Sequence, residues 1–418
     1  MTLRFTERAH GENTLARVGL ALIGLHILDD SYLQPEPGTS AREHIVSGVV
    51  PLVMLIIAAA FYPRVRAGTR AVVALFFGFF GIAAGAAEAG YNAFNGGFSG
   101  DDYTGLLALL AGVVLLLVGM RTLWKTRRLG ERTRRRYVRR SLIGAAAAIV
   151  AVEIAFPIVF AYGYTHYGNS GVPTARLGAA YDDVTFTTSD GLKLAGWYVP
   201  SRNGAAVIAF PGRSGPQDHA RMLIRHGYGV LLFDPRGNGE SEGDPFRYTG
   251  TRDVRAALAY LRTRADVEPD RIGGLGLSLG GELLLQTAAE TDQLRAVVSE
   301  GAGIRSIREQ MDKPAGLRKW LSVPFYASYT AAISVFSNHL PPPDLEDLVS
   351  RIAPRPIFLI YARNGLGGEE LNRQFYEAAR QPKAIWEISD AGHTDGLDAH
   401  PKEYERRVIN FFDDALLG

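Results

Sequence analysis

Long apolar runs fill the first 165 residues of the chain. Four of them contain at most one ionisable residue and are about as long as a bilayer crossing requires. They lie at residues 45–61, 71–87, 104–120 and 141–164. Such helices have almost no polar face to meet water, so they predict membrane spans. A shorter run at 18–28 is predicted to be a further span, with a signal-peptide core as the alternative. The pattern thus predicts an all-α membrane domain of about five transmembrane helices over residues 1–164.

The loops between these runs alternate in charge. Residues 62–70 carry three arginines and no acid, and residues 121–140 carry ten basic residues against a single acid. Residues 29–44 and 88–103 are instead acidic. Because basic loops remain in the cytoplasm, the alternation predicts a cytoplasmic amino terminus and places everything after Tyr164 outside. We expect the ten-base loop to contact anionic membrane lipids rather than nucleic acid.

The pattern changes after residue 164. Residues 165–180 are polar and contain glycine and proline, so they predict a linker. Two alternating segments, 184–188 and 192–199, flank a Ser-Asp-Gly turn and predict a hairpin. Apolar runs typical of strands then lie at residues 206–210, 229–233, 272–277, 295–299, 356–361 and 384–388. Amphipathic, helix-like segments lie between them, at residues 218–226, 251–264, 279–290, 371–380 and 401–417.

This order of elements predicts an α/β domain over residues 181–418. A hairpin followed by repeated strand–helix units favours a mostly parallel central sheet with helices on both faces. Residues 303–350 are too long for a simple connection and contain several aromatic side chains. We expect them to form a small helical lid inserted into the domain.

The composition is consistent with a chain made of a membrane domain and a water-soluble domain. The 418 residues include 45 basic and 43 acidic side chains, so the net charge is +2 and gives no reason to expect a nucleic-acid partner. The absence of cysteine excludes disulfides, thiolate catalysis and zinc–thiolate sites. A mean hydropathy of +0.01 is the average of an apolar half and a water-soluble half. Arginine outnumbers lysine, which favours a bacterial protein and hence an integral plasma-membrane location.

A candidate nucleophile lies between a predicted strand and a predicted helix. Residues 276–280 read G-L-S-L-G, and the glycines allow the sharp turn that would expose Ser278 at the start of the helix. The backbone N–H of Leu279 would then face the oxyanion of an acyl-transfer intermediate. The strand–turn–helix context makes the motif more specific than the bare string.

A serine nucleophile needs a base, and three histidines follow Ser278. His339 falls inside the predicted lid, and His400 precedes a proline at a helix start, where a capping or surface role is usual. His393 follows the predicted strand at 384–388, in a loop at its carboxyl end. We therefore expect His393 to be the base.

The third member should be a carboxylate after the strand at residues 356–361. No aspartate follows this strand closely, and the glycine-rich loop there contains Asn364, Glu369 and Glu370. An asparagine could fix a histidine tautomer but could not stabilise an imidazolium as an anion does. We expect Glu369 to be the acid, with Glu370 as the alternative, since Glu370 begins the next predicted helix.

A second oxyanion donor is expected after the strand at 206–210. Residues 211–215 read P-G-R-S-G, and the N–H of Arg213 is the expected donor beside that of Leu279. An ordinary glycine-rich turn is the alternative interpretation of this string.

With these motifs, residues 181–418 resemble an α/β-hydrolase-fold serine hydrolase. The resemblance rests on the turn at Ser278, on the Ala-Gly-His string that ends at His393, and on residues 234–241, D-P-R-G-N-G-E-S. The last string resembles the D-x-R-G-x-G-x-S loop that packs near the site in many members. The Gly-Glu pair at 281–282 is similar to the dienelactone-hydrolase, acyl-peptidase and acyl-thioesterase branches.

The chain departs from the family pattern at two places. The usual aspartate after the seventh strand is replaced by the glycine-rich loop with Glu369, and the His-Gly common at the oxyanion loop is Pro211-Gly212. The missing aspartate supports a second hypothesis, a membrane sensor or interaction protein with a catalytically impaired hydrolase domain. The membrane region itself resembles no family that we can name.

The first hypothesis is a membrane-anchored serine hydrolase of esterase, thioesterase or peptidase type. It would cleave a carboxylic ester or related acyl bond through Ser278, His393 and Glu369. We expect a small-molecule or lipid-like acyl substrate, contact with membrane lipids, and no metal or organic cofactor. The sequence identifies no protein partner.

Overall fold

The computed structural model describes residues 2–34, 45–95, 102–125, 133–166, 171–245, 247–312, 317–363, 365 and 368–418. The chain divides into two compact units. A helical unit comprises Met1–Tyr167 together with Trp320–His339, and an α/β unit comprises Gly168–Lys319 together with Leu340–Gly418.

Apolar helices build the N-terminal region. They are α1 (Thr2–Leu28), α2 (Ile45–Phe61), α3 (Ala67–Asn95), α4 (Asp102–Lys125), α5 (Thr133–Val150) and α6 (Phe156–His166). A π-helical turn at Asp29–Leu33 extends α1, and another at Ala151–Ala155 joins α5 to α6. Helix α3 packs on α4 and α6, and α1 packs on α2 and α4.

Three helical stretches in the described residues are long and apolar enough to cross a membrane. They are Ala67–Ala86, Tyr103–Lys125 and Tyr137–His166, and a shorter apolar stretch covers Gly48–Arg64. This is fewer than the five spans predicted. Helix α1 begins well before the predicted run and includes charged residues in its first half, and α2 has only 17 residues.

Glycines let α3 and α4 approach closely. A Cβ atom on Gly112 of α4 would lie 2.6 Å from the carbonyl oxygen of Gly78 and 2.6 Å from the backbone nitrogen of Ile82, both on α3. A Cβ on Gly85 of α3 would likewise collide with the carbonyl oxygen of Gly105. Small residues at a helix–helix contact are typical of membrane bundles, where backbone packing replaces the hydrophobic effect.

Two buried aspartates connect the end of α1 to other helices. Thr104 donates a hydrogen bond of 2.9 Å to Asp29, and Tyr162 donates one of 3.0 Å to Asp30. Both carboxylates are less than a tenth exposed. Burial of a carboxylate is costly unless it is hydrogen-bonded, so these contacts stabilise the packing of α1 against α4 and α6.

The α/β unit contains an eight-stranded sheet. Its strands are β1 (Asp182–Thr187), β2 (Lys193–Val199), β3 (Ala206–Phe210), β4 (Gly229–Phe233), β5 (Ile272–Leu277), β6 (Ala296–Glu300), β7 (Ile357–Ala362) and β8 (Lys383–Ile388). Their spatial order is β1-β2-β4-β3-β5-β6-β7-β8. The β1–β2 and β2–β4 pairs are antiparallel and the others are parallel. The predicted mostly parallel sheet is confirmed.

Helices lie between the strands and after them. They are α7 (Gln217–Arg225), α8 (Gly250–Arg262), α9 (Leu279–Glu290), α10 (Ile307–Asp312), α11 (Leu317–Ser337), α12 (Leu345–Val349), α13 (Asn372–Ala378), α14 (Gly396–Ala399) and α15 (Pro401–Phe412). Every residue of β3 to β7 is buried. Burial on both faces explains why these strands are continuous apolar runs rather than alternating ones.

The segment predicted as a lid, residues 303–350, divides between the two units. Helix α12 packs on α9 and α13. Most of α11 belongs to the helical unit, because its aromatic side chains pack against those of α6. The Phe336 ring lies 5.3 Å from that of Tyr162, and the Tyr329 ring lies 5.6 Å from that of Phe160.

Candidate active site

Ser278 occupies a sharp turn between β5 and α9. Its φ of 51° is rare for a residue with a side chain, and such strain persists only where the surroundings enforce it. The turn is so tight that a Cβ on Gly276 would collide with the backbone of Gly280, and one on Gly280 would collide with Phe210. The glycines on either side are therefore required for the turn, and Ser278 remains partly exposed at the start of α9.

The structure brings Ser278, His393 and Glu369 into contact. Nε2 of His393 lies 3.0 Å from the Ser278 hydroxyl oxygen, and its Nδ1 lies 2.5 Å from Oε1 of Glu369. The three residues follow β5, β8 and β7. The carboxyl ends of parallel strands meet at one edge of the sheet, so the topology places them together.

The glycine-rich loop after β7 carries Glu369 back to this edge. Glu369 begins a short 3₁₀ turn and is 1% exposed. Its second oxygen accepts a hydrogen bond of 2.8 Å from the backbone N–H of Ala362. A Cβ on Gly365 would collide with the Glu369 carboxylate, so a glycine there lets the loop fold over it. The position of the Glu369 carboxylate is thus fixed by the backbone as well as by its contact with His393.

Charge around His393 favours its protonated form. The hydrogen bond to Glu369 raises the pKa of His393, partial burial opposes this, and the charges of Glu369, Glu300 and Asp395 raise it further. An imidazole that accepts a proton from a serine becomes cationic. The site therefore stabilises the charge state that such a transfer would create.

The other acids and histidines considered from the sequence lie differently. Glu370 is exposed, and the carboxylate at His393 belongs to its neighbour Glu369. His400 contacts the exposed Asp390, with Nε2 at 2.8 Å from the carboxylate. Asn364 lies outside the described residues. Within the part of the chain that the structure describes, no group of three or more His, Asp and Glu side chains could hold a metal ion.

The backbone N–H of Arg213, which the sequence predicts as an oxyanion donor, has another partner in this structure. Its backbone N–H donates a hydrogen bond of 2.8 Å to Oδ1 of Asp234, and its Nε donates one of 2.8 Å to Oδ2. The buried carboxylate thus occupies the N–H that was expected to face the substrate. Leu279 is the first residue of α9, and the first amides of a helix have no acceptor within that helix, so its N–H stays a predicted oxyanion donor.

Asp234 also explains the string at residues 234–241. Its carboxylate pairs with the fully buried Arg213, and its carbonyl accepts a hydrogen bond of 2.7 Å from Ser241. Arg236 forms a second buried pair, with Nε at 2.9 Å from Oδ1 of Asp253. The Arg213–Asp234 pair joins the loop after β4 to the loop after β3, and the start of the latter lies against Gly280 beside the Ser278 turn. The Arg236–Asp253 pair joins the loop after β4 to α8.

One buried polar residue beside the site was not identified from the sequence. Glu300 ends β6 and is 3% exposed, and its carbonyl accepts a hydrogen bond of 2.7 Å from the backbone N–H of Ser278. A charged residue at the carboxyl end of a strand that is otherwise buried was the signal that could have identified it.

The family follows from a match to a family model. Residues 195–407, slightly more than half of the chain, match the model of the alpha/beta hydrolase family. The chain belongs to this family. Its membership supports a hydrolytic activity, and the match covers β5, β7, β8 and the residues that follow them.

A curated relative and two solved structures are each similar to somewhat more than half of the chain. The protein YfhR of Escherichia coli O157:H7 is 28% identical over 251 residues, which are 56% of this chain and 81% of YfhR. Among solved structures, the Pyrococcus furiosus esterase Pf2001 has a TM-score of 0.48 at 24% identity, covering 60% of this chain and 97% of the esterase. GrgF from a Penicillium species has a TM-score of 0.47 at 22% identity, covering 57% of this chain and all of GrgF.

Proposed function

We propose that this protein is a membrane-anchored serine hydrolase that cleaves a carboxylic ester or a related acyl bond. The observation that carries the proposal is the pair of contacts that His393 makes, with the Ser278 hydroxyl on one side and the Glu369 carboxylate on the other. Nucleophile, base and acid in this order are the requirement for acyl transfer through a covalent intermediate.

In the first half-reaction the Ser278 oxygen attacks the acyl carbonyl carbon. Nε2 of His393 takes the hydroxyl proton, and the Glu369 carboxylate stabilises the resulting imidazolium. The oxygen of the tetrahedral intermediate becomes negative and accepts a hydrogen bond from the Leu279 N–H. When the intermediate collapses, His393 returns the proton to the departing alcohol, thiol or amine, and the acyl group remains on Ser278.

The second half-reaction releases the acyl group. His393 takes a proton from water, whose oxygen attacks the acyl carbon, and the same N–H of Leu279 stabilises the second tetrahedral intermediate. The proton then returns from His393 to the Ser278 oxygen as the acid leaves. Both steps use residues of this chain alone.

Membrane attachment is proposed from the helical unit. Its three long apolar stretches and the close α3–α4 packing support an integral membrane protein. The alternating loop charges support a cytoplasmic amino terminus and an extracytoplasmic hydrolase domain. A lipid-like acyl compound suits an enzyme at this location, because such a substrate concentrates at the bilayer.

The alternative, a sensor with an impaired hydrolase domain, rested on the missing aspartate after β7. Glu369 in contact with His393 weighs against it, because a glutamate supplies the same charge. The intact Ser278 turn weighs against it as well.

A fluorophosphonate probe applied to membranes that contain the full chain tests the proposal. Such probes phosphonylate serines that a neighbouring base activates, so we expect the wild type to be labelled and Ser278→Ala not. Ser350→Ala removes a partly exposed serine at the end of α12 and should retain labelling. An unlabelled wild type at every pH, with the protein folded, would favour the sensor hypothesis.

A further inference from the structure

Glu300 contacts both the Ser278 turn and the segment that follows His393. In the sheet it stands opposite Leu277, the residue before Ser278, and its carbonyl accepts the Ser278 N–H at 2.7 Å. This bond continues the β5–β6 ladder one residue into the turn. The backbone of Glu300 therefore fixes the nucleophile's position relative to β6.

The side chain of Glu300 reaches the loop that carries His393. Its Oε1 accepts a hydrogen bond of 2.8 Å from the backbone N–H of Gly396, three residues after His393. Its Oε2 accepts one of 2.6 Å from the hydroxyl of Tyr404 on α15, and Nε2 of His219 lies 3.5 Å from the same oxygen. Each carboxylate oxygen thus has its own donor.

The residue after Glu300 lies directly against the imidazole. Gly301 has a φ of +72°, and a Cβ placed on it would lie 3.2 Å from Cε1 of His393. The backbone at Gly301 therefore lies close to the histidine ring, while the carboxylate of Glu300 accepts a hydrogen bond from Gly396, just after the loop that carries the ring.

We propose that Glu300 is a positioning residue, which holds the His393 loop in register with the Ser278 turn and places a second fixed negative charge beside the imidazole. The inference rests on the proposed function, in which His393 is the base. It adds a residue that touches neither substrate nor the reacting atoms.

Packing alone does not explain why residue 300 is a glutamate. Glu300 is 3% exposed, and an apolar side chain could fill the same space without the cost of desolvating a charge. A carboxylate accepts hydrogen bonds from both Gly396 and Tyr404, which an apolar side chain cannot do. Its charge also favours the protonated form of His393.

Three carboxylates on different elements raise the pKa of His393. Glu369 approaches from the loop after β7, Glu300 from the end of β6, and Asp395 from the loop of His393 itself. All three raise the pKa of His393, with Glu369 contributing most. Removal of the Glu300 charge should therefore lower the pKa of His393 without breaking the hydrogen bond to Glu369.

The test is a titration of the His393 imidazole by NMR, with ¹³C-labelled histidine in the full chain in detergent micelles. Glu300→Gln keeps an oxygen for the Gly396 N–H but removes the charge. We expect the pKa of His393 to fall by about 0.5 to 1 unit. We also expect kcat to fall by about 3- to 10-fold with little change in KM, since the effect arises at proton transfer.

Glu309→Gln is the matched control. Glu309 is also a buried glutamate that accepts backbone hydrogen bonds, at 2.8 Å from Arg305 and 2.7 Å from Leu345, but it is not among the groups that act on His393. We expect this variant to leave the pKa of His393 unchanged. A wild-type pKa in Glu300→Gln, or an equal fall in both variants, would overturn the proposal.

Tyr404→Phe covers the case in which Glu300→Gln does not fold. It keeps the Glu300 carboxylate but removes one of its two hydrogen-bond donors, so the His393 loop should be held less firmly and kcat should fall with little change in KM; an unchanged kcat would count against the proposal. Because the titration needs no turnover, it separates the two proposals. A wild type that fluorophosphonate does not label, with the expected fall in Glu300→Gln, would refute the hydrolase function and leave the role of Glu300 in place.

Discussion

Oε1 of Glu369 lies 2.5 Å from Nδ1 of His393, although Glu369 follows the last residue of β7 by seven positions. A carboxylate so far beyond its strand can reach the histidine because the intervening glycine-rich loop turns back over it, with Gly365 against the carboxylate. The bond from the Ala362 N–H then fixes the side chain. A glutamate on the loop thus places a carboxylate at His393, where an aspartate at the strand end would otherwise place one.

Glu369→Gln should lower kcat by about 10²- to 10⁴-fold, with the protein still folded. Glutamine keeps the size of the side chain but cannot stabilise imidazolium as an anion does. The measurement is hydrolysis of a short-chain nitrophenyl ester by the full chain in detergent. Glu370→Gln, one residue along on the exposed side of the turn, is the control and should keep near wild-type activity. The reverse pattern would identify Glu370 as the acid.

The pH dependence of kcat/KM should report the raised pKa of His393. The base acts in its neutral form, and the hydrogen bond to Glu369 raises its pKa above the usual 6.5. We expect the acidic limb of the wild-type profile to have its midpoint above 6.5, and that of residual Glu369→Gln activity to move to lower pH. A wild-type midpoint below 6.5 would contradict this arrangement.

The same shift has a consequence for stability. A histidine with a raised pKa in the folded state stabilises the fold below its unfolded pKa, and this contribution disappears as the pH rises through the folded value. The pair of His393 and Glu369 therefore stabilises the protein under mildly acidic conditions rather than alkaline ones.

Most strands of the α/β unit can be predicted from the pattern of apolar residues alone. The strands β3 to β7 are buried on both faces, so each is a continuous apolar run that the sequence displays directly. The proximity of Ser278 and His393 could be predicted for a related reason. Each lies just after a strand, and the carboxyl ends of parallel strands meet at one edge.

The partner of Arg213 could not be predicted in this way. Its N–H is taken by Asp234, 21 residues further along the chain, and a side chain that bonds the backbone of another loop leaves no periodic signal. The same is true of Glu300 and Gly396, which lie 96 residues apart. Helix α11 lies in sequence between strands of the α/β unit, yet its packing partners are on α6.

Asp234→Ala should destabilise the hydrolase domain. It would leave the Arg213 guanidinium, 1% exposed, with Glu240 as a more exposed partner at 3.1 Å. Loss of one member of a buried ion pair costs about 3–5 kcal/mol, which corresponds to roughly 10 °C in the melting temperature of a domain of this size. The measurement is thermal unfolding of the full chain in detergent.

Arg406→Ala is the control for that change, because its pair with Glu403 is on the surface. Exposed pairs contribute about 0–1 kcal/mol, so its melting temperature should stay close to that of the wild type. Equal effects of the two substitutions would show that burial of the Arg213 pair is not what stabilises the loop.

The orientation of the chain can be tested cleanly, because the protein contains no cysteine. Lys402→Cys places a thiol at an exposed position of α15 in the hydrolase domain, and Arg66→Cys places one at an exposed position of the basic segment between α2 and α3. Because basic loops stay in the cytoplasm, a membrane-impermeant maleimide should label the first variant in intact cells and the second only after permeabilisation. Permeabilised cells, in which both must react, control for thiol accessibility. Labelling of Arg66→Cys but not Lys402→Cys in intact cells would place the active site in the cytoplasm, where its substrates would be intracellular acyl compounds instead.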